Sequence, residues 1–297
     1  MSVISGPAES APGDSRALGT RGVGALTLQG QELADEEQRD RGAIDHSNPE
    51  ATPVVLVHGF ASDPVMWRGA ERVLQEAGYA TFAIAWEPEK GMDIGDAAQR
   101  VLAPAIDAAL AGAGYRTSRP FHAIGHSTGG LLLRWLVEQD PFNHFTYASL
   151  TLLSTPNHGA RTGVGHIACD TFRQPWRSIG CDLIPGSEVL EALGTSLQDG
   201  APRTLSIGVE TVPNLLPAPL FDGDGDGKAH SHDNAVMAES AWLEGATFRI
   251  WRGKRTRSHF TVACSSTVIG WVIEHMMGRE VPPQEKGRLT SGDLCRD

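Results

Sequence analysis

From residue 51 onward, short apolar runs alternate with longer stretches whose apolar positions recur at helical spacing. Pro53–Val57 (PVVLV) is a continuous apolar run rich in β-branched residues, the pattern of a strand buried on both faces. Val65–Ala77 follows with helical periodicity and stops at Gly78. Thr81–Ala85 predicts a second strand, and Asp96–Leu110 a helix kinked at Pro104, where the ring removes a backbone donor. Phe121–Gly125 predicts a third strand, Gly129–Gln139 a helix that ends before Pro141, and Ser149–Leu153 a fourth strand. Two further strands are expected at Thr204–Val209 and Thr247–Trp251. The last helix, Ser265–Met277, has Val268, Ile269, Val272, Ile273 and Met276 on one face and stops at Gly278.

Strands alternating with helices imply an α/β fold with a mostly parallel central sheet and helices on both faces, because each crossover returns the chain to the same edge. Residues 157–202 interrupt the alternation. They carry Ile167, Phe172, Trp176, Ile179, Leu183 and Ile184 without clean strand or helix periodicity. So much apolar area in a connecting segment either packs into the core or meets a ligand. The segment follows Ser154-Thr155-Pro156 at the carboxyl end of a strand, where open α/β sheets bind ligands. It is read as a cap, with Phe172 and Trp176 as candidate substrate-binding residues.

Composition separates the two ends from this folded part. Residues 1–50 contain none of the 9 Phe, 7 Trp and 3 Tyr of the chain, so they cannot bury enough apolar surface to offset chain entropy. They are expected to be a disordered arm, with one short helix at Glu32–Arg41. Residues 51–278 form the predicted domain and 279–297 a polar tail. No run approaches the length of a membrane-spanning helix. With 36 acidic and 25 basic side chains the net charge is −11, which argues against nucleic acid as a partner. The first ten residues have no basic or apolar leader region, and no twin-Arg pair appears. A cytoplasmic protein is expected on that ground, with secretion as the other reading. Cys169 and Cys181 are close enough in sequence to pair or to remain two thiols.

The chemistry centres on Gly125-His126-Ser127-Thr128-Gly129, a Gly-x-Ser-x-Gly sequence between a predicted strand and a predicted helix. Such a turn lifts the serine above the carboxyl ends of the strands, and the flanking glycines relieve its crowding. The Thr128 amide at the helix N-terminus is aimed at the same point. His58-Gly59-Phe60 follows the first strand and offers the Phe60 amide as a second donor for a developing oxyanion.

With these motifs on hand, Val57-His58-Gly59-Phe60, Gly125-His126-Ser127-Thr128-Gly129-Gly130 and Ser154-Thr155-Pro156-Asn157-His158-Gly159 resemble the α/β-hydrolase lipases and carboxylesterases, in particular the bacterial lipase group. The resemblance covers about residues 52–278. It implies a serine acyl hydrolase acting on a small-molecule or lipid ester, with a serine, acid, histidine order along the chain and no cofactor required. Ser127 matches the nucleophile. His259, between the last strand and the last helix, matches the base. The acid lies before it: Asp233, in Asp233-Asn234-Ala235-Val236, matches the family pattern, and Asp226 is the rival. An amidase, thioesterase or acyltransferase would use the same triad. A reading from a different class is a non-catalytic calcium-binding or interaction module.

Two charged clusters remain. Asp222, Asp224 and Asp226 alternate with glycines in the manner of a calcium loop, though without the flanking helices of an EF-hand. They are read either as ligands of a structural Ca²⁺ or as a solvated acidic loop. Arg249, Arg252, Lys254, Arg255 and Arg257 precede His259 and are read either as attraction for an anionic head group or as a solvated counterweight to that loop.

Overall fold

A computed structural model of the chain describes residues 51–297, except 117, 141–143, 161–162, 213–231, 234, 255–257, 284–293 and 295–297. Six strands make one sheet: β1 (Pro53–Val57), β2 (Ala80–Ile84), β3 (Phe121–His126), β4 (Tyr147–Leu153), β5 (Thr204–Val212) and β6 (Thr247–Lys254). Their order across the sheet is β2-β1-β3-β4-β5-β6, and every neighbouring pair is parallel. The sheet is therefore wholly parallel among the described residues, where the sequence predicts a mostly parallel one.

Alternation along β1 shows why these strands read as continuous apolar runs. Val55 and Val57 belong to one core with Leu131, Leu132 and Leu136, while Val54 and Leu56 belong to a second with Leu74, Val268 and Trp271. Side chains of a strand point to opposite faces in turn, so both faces of the sheet must be covered. On the first side lie α2 (Ile94–Ala97), α3 (Ala103–Gly112) and α4 (Thr128–Glu138). On the second lie α1 (Arg68–Glu76) and α9 (Ser266–Met276).

The helix expected over Asp96–Leu110 with a kink at Pro104 is found as a run that changes type, with Pro104 in the first turn of α3. The chain passes from α2 to α3 through a π-helical turn at Ala98–Leu102. Pro104 lacks the N–H that would bond to the carbonyl four residues earlier, and the widened turn accommodates it without a break. Residues 157–202 also differ from the expectation. They contain three short helices, α5 (Gly163–Thr171), α6 (Trp176–Asp182) and α7 (Glu188–Leu193). Each is too short to show periodicity, so the pattern was invisible in the sequence. Ile179, Leu183, Val189, Leu190 and Leu193 are buried in the first core, while Ile167 and Phe172 are exposed.

Cys169 and Cys181 form a disulfide that ties α5 to α6. Closing a short loop of 12 residues in this way stabilises by about 3 kcal/mol on a chain-entropy argument. Val281, in the segment expected to be a polar tail, is buried against the second core, and its carbonyl accepts from Arg249 Nε at 2.8 Å. The expected helix at Glu32–Arg41 lies outside the described residues. Among those described, no helix is long and apolar enough to cross a membrane.

Candidate active site

The strand order places the site. The chain adds β2 on one side of β1 and β3 on the other, so the crossovers diverge between β1 and β3 and leave a crevice beyond their carboxyl ends. Val57 is paired with Gly125 in register. The residues that follow, His58–Phe60 and His126–Thr128, are consequently neighbours.

Ser127 sits between β3 and α4 with φ 53° and ψ −126°. A non-glycine residue there is strained by about 1–3 kcal/mol, and its surroundings must hold it. Its amide donates to the Leu153 carbonyl at 2.8 Å, and its carbonyl accepts from Gly130 at 2.9 Å. The flanking glycines are required by space. A Cβ on Gly125 would lie 2.5 Å from Gly130 Cα, and one on Gly129 would lie 2.4 Å from the His58 carbonyl oxygen. The elbow can thus press against both its own helix and the end of β1.

His259, on the short helix α8 (Ser258–Thr261), comes to this serine from the far end of the sheet. Its Nε2 lies 3.1 Å from Ser127 Oγ, and its Nδ1 lies 2.6 Å from Asp233 Oδ2. Ser127 is 6% exposed, His259 7% and Asp233 not at all. Of the two carboxylates weighed in the sequence, Asp233 is the one that meets His259; Asp226 lies outside the described residues.

Asp233 is oriented by its own turn. Oδ1 accepts from the amides of Ala235 at 2.9 Å and Val236 at 2.6 Å, an Asx-type turn that leaves Oδ2 free to face outward. Oδ2 also accepts a hydrogen bond from the Ser154 hydroxyl. Burial pushes this carboxyl up, but His259, Ser154 and the Val236 amide outweigh it and hold the group below the usual carboxylate range. Ser154 follows β4 as Ser127 follows β3, and it too takes a left-handed backbone, φ 50°.

The turn after β1 carries the first expected oxyanion donor. A Cβ on Gly59 would lie 2.9 Å from Ser127 Cβ, so the backbone of this turn runs directly over the serine. His58 fixes the turn: Nδ1 donates to the Gly59 carbonyl at 3.0 Å, and the His58 carbonyl accepts from Trp86 Nε1 at 3.0 Å. Burial lowers the His58 pKa, which keeps the ring in this neutral bonding pattern. Thr128, the second expected donor, is the first residue of α4, so no preceding helical carbonyl accepts from its amide.

Phe60 also anchors an aromatic wall. Phe172 meets it edge-on at 4.8 Å and Trp176 at 5.2 Å, and Trp176 meets Trp86 at 5.2 Å. Phe172 is 40% exposed, and Trp176 is partly buried against the first core. On the other side, Phe260 packs edge-on against His259 at 5.4 Å and is 56% exposed.

The two charged clusters are described only in part. Asp222, Asp224 and Asp226 lie outside the described residues. Asp233, which falls at the last ligand position of the calcium-loop pattern, has both oxygens engaged by His259, Ser154 and two amides. Arg249 holds the Val281 carbonyl and Arg252 pairs with Glu210 at 2.8 Å, so these two basic side chains serve the sheet edge and the segment after α9. The Lys254 side chain, Arg255 and Arg257 are outside the described set.

Nothing in the sequence pattern gives a side-chain role to Ser154, His126 or Trp86. Ser154 was visible as the start of the Ser-Thr-Pro-Asn-His-Gly motif, but its left-handed backbone and its reach to Asp233 have no sequence signature. No protein-family model matches the sequence, and comparison with curated proteins finds no relative. Solved structures do match. Aspergillus fumigatus lipase B is 16% identical with a TM-score of 0.51, over 85% of this chain and 57% of that one. Phospholipase PlaB from Legionella pneumophila is 14% identical with a TM-score of 0.50, over 68% of this chain and 52% of that one. The chain spans about half the length of PlaB. It has the α/β-hydrolase fold.

Proposed function

We infer that this protein is a serine acyl hydrolase that cleaves carboxylic esters through an acyl-enzyme. The observation that carries the reading is the hydrogen-bonded relay from Ser127 Oγ to His259 Nε2 and from His259 Nδ1 to Asp233 Oδ2. Ser127 attacks the ester carbonyl while His259 takes the hydroxyl proton. Asp233, held ionised by its donors, stabilises the imidazolium and keeps Nδ1 protonated. The amides of Phe60 and Thr128 donate to the oxyanion, each worth roughly 3 kcal/mol in the transition state. His259 then gives its proton to the leaving alcohol, and a water activated by the same nitrogen releases the acid. The names of the two structural neighbours, a lipase and a phospholipase, accord with this chemistry.

The aromatic wall of Phe60, Phe172 and Trp176 supports an acyl chain lying along the cap, beside the serine. The relay needs no cofactor for any step. A Ca²⁺ bound by Asp222, Asp224 and Asp226 would act on stability rather than on the acyl transfer.

The test is Ser127→Ala with a chain-length series of p-nitrophenyl esters and a fluorophosphonate probe. Loss of all but a few per cent of turnover, loss of labelling and an unchanged melting temperature are expected. Substantial residual turnover would exclude Ser127 as the nucleophile, and a wild-type protein that neither turns over esters nor labels would exclude the enzyme reading.

A further inference from the structure

His126 is the residue before Ser127, and its side chain does something the backbone of the elbow does not require. It is buried, and its Nε2 donates to the carbonyl oxygen of His259 at 2.7 Å. The two imidazoles lie 4.7 Å apart. One residue of the elbow thus carries the serine, and the residue beside it grips the backbone of the base that must reach that serine.

We propose that His126 is a positioning residue, which sets the Ser127–His259 distance by tying the main chain of the base to the elbow. This rests on the esterase reading and goes beyond it by adding a residue to the machinery. Three features support it. First, the tie joins parts of the chain that share no strand: β3 and α8 are separated by β4, β5 and β6 in sequence, and the sheet order does not bring their ends together. A side chain has to span the gap. Second, the ring stays a donor at Nε2. Burial, and then the neighbouring charge of His259, push its pKa down to about 3, so it remains neutral when His259 takes up a proton. A neutral imidazole protonated at Nε2 carries its lone pair on Nδ1. Third, that Nδ1 is buried without a hydrogen-bond partner among the described residues, and it faces the narrow space over Gly59. An apolar side chain would fill this space without leaving a polar atom unpaired. The histidine is explained by the one bond it makes.

The bond acts on the backbone of His259, not on its ring, so its loss should leave substrate binding alone and misplace the base. An offset of about 1 Å in a proton-transfer geometry costs on the order of 100-fold in rate. The experiment compares His126→Leu, His126→Asn and His126→Gln in the full chain on a p-nitrophenyl ester, with kcat expressed per active site titrated by fluorophosphonate. Leu removes the donor and Asn cannot reach, whereas the Gln amide carries an N–H to nearly the same place as Nε2. The expected result is a fall in kcat of about 10- to 100-fold for Leu and Asn with KM within about twofold, and recovery to within about threefold of wild type for Gln. Melting temperatures are read alongside. Wild-type kcat in the Leu variant, equal losses in Leu and Gln, or losses that appear in KM rather than kcat would each overturn the proposal. An inactive wild type would instead strike the esterase reading itself.

Discussion

At the level of single residues, the arrangement around Asp233 is the most demanding. One carboxylate oxygen closes its own turn, and the other receives both His259 and Ser154. Asp233→Asn keeps the shape but puts an amide where His259 needs an acceptor. Turnover should fall by about 10⁴, as expected where the imidazole loses its orienting acid. Asp226→Asn should leave turnover near wild type. Steady-state kinetics of the two variants decide the matter, and a damaging Asp226 change with a harmless Asp233 change would reverse the assignment. The two left-handed serines belong to this level as well. Ser127 and Ser154 end adjacent strands, β3 and β4, whose last residues His126 and Leu153 are paired in register. Each strained backbone is held by its surroundings, the Ser127 amide donating to the Leu153 carbonyl and the Ser154 amide to the Ile207 carbonyl, both at 2.8 Å.

At the level of elements, α5 and α6 are the part of the fold that the proposed reading sets against the acyl chain. Their disulfide holds them as one unit, and Phe172 and Trp176 at their junction lean on Phe60. The paired change Phe172→Ala and Trp176→Ala removes the wall without touching the relay. We expect kcat/KM to drop roughly tenfold or more for a long acyl ester and about twofold for a short one, since each lost methylene contact is worth about 0.8 kcal/mol. Equal losses for both chain lengths, measured with the same p-nitrophenyl series, would return these side chains to the core. The alternative was legible from the start: apolar residues in an irregular segment fit a buried cluster as well as a cap. The structure divides them, with Ile179 and Leu183 buried and Ile167 and Phe172 exposed.

At the level of the whole molecule, one acid couples the three-helix segment to the body of the fold. Asp182, at the end of α6, accepts from the Ile94 amide at the start of α2 at 2.8 Å. Burial above all, with Asp93 and Glu188 nearby, pushes its pKa up to about 7, although the Ile94 amide pulls the other way. The ordinary value is 3.8, so between about pH 4 and pH 7 the folded chain holds a proton that the unfolded chain has released. Stability therefore falls as pH rises through that window and levels off above it. Asp182→Asn is neutral throughout and still accepts from Ile94. Its melting temperature should exceed that of the wild type by a few degrees at pH 8, and by less at pH 5, after allowance for solvent screening. A difference that does not change with pH would mean that the carboxyl ionises freely in the fold.

What the sequence determined by itself is local. Pro53–Val57 and Phe121–Gly125 announce buried strands because every residue in them must face one core or the other. The Gly-x-Ser-x-Gly turn announces itself because a strand-to-helix turn of that sharpness leaves no room for a Cβ at Gly125 or Gly129. Ser127 and the two candidate oxyanion amides follow from these contiguous patterns. What only the tertiary structure decided is long-range. Asp233 and Asp226 are both carboxylates before His259 in the sequence, and that Asp233 stands 2.6 Å from His259 is visible only in the fold. Ser154, His126 and Trp86 bond to residues far along the chain, contacts that appear only once the chain is folded and that neighbours in sequence do not announce. The three helices of residues 157–202 were hidden for a related reason. Each spans two turns or so, too few to display a period; α6 and α7 are held by the core they pack against, and α5 is tied to α6 by the disulfide.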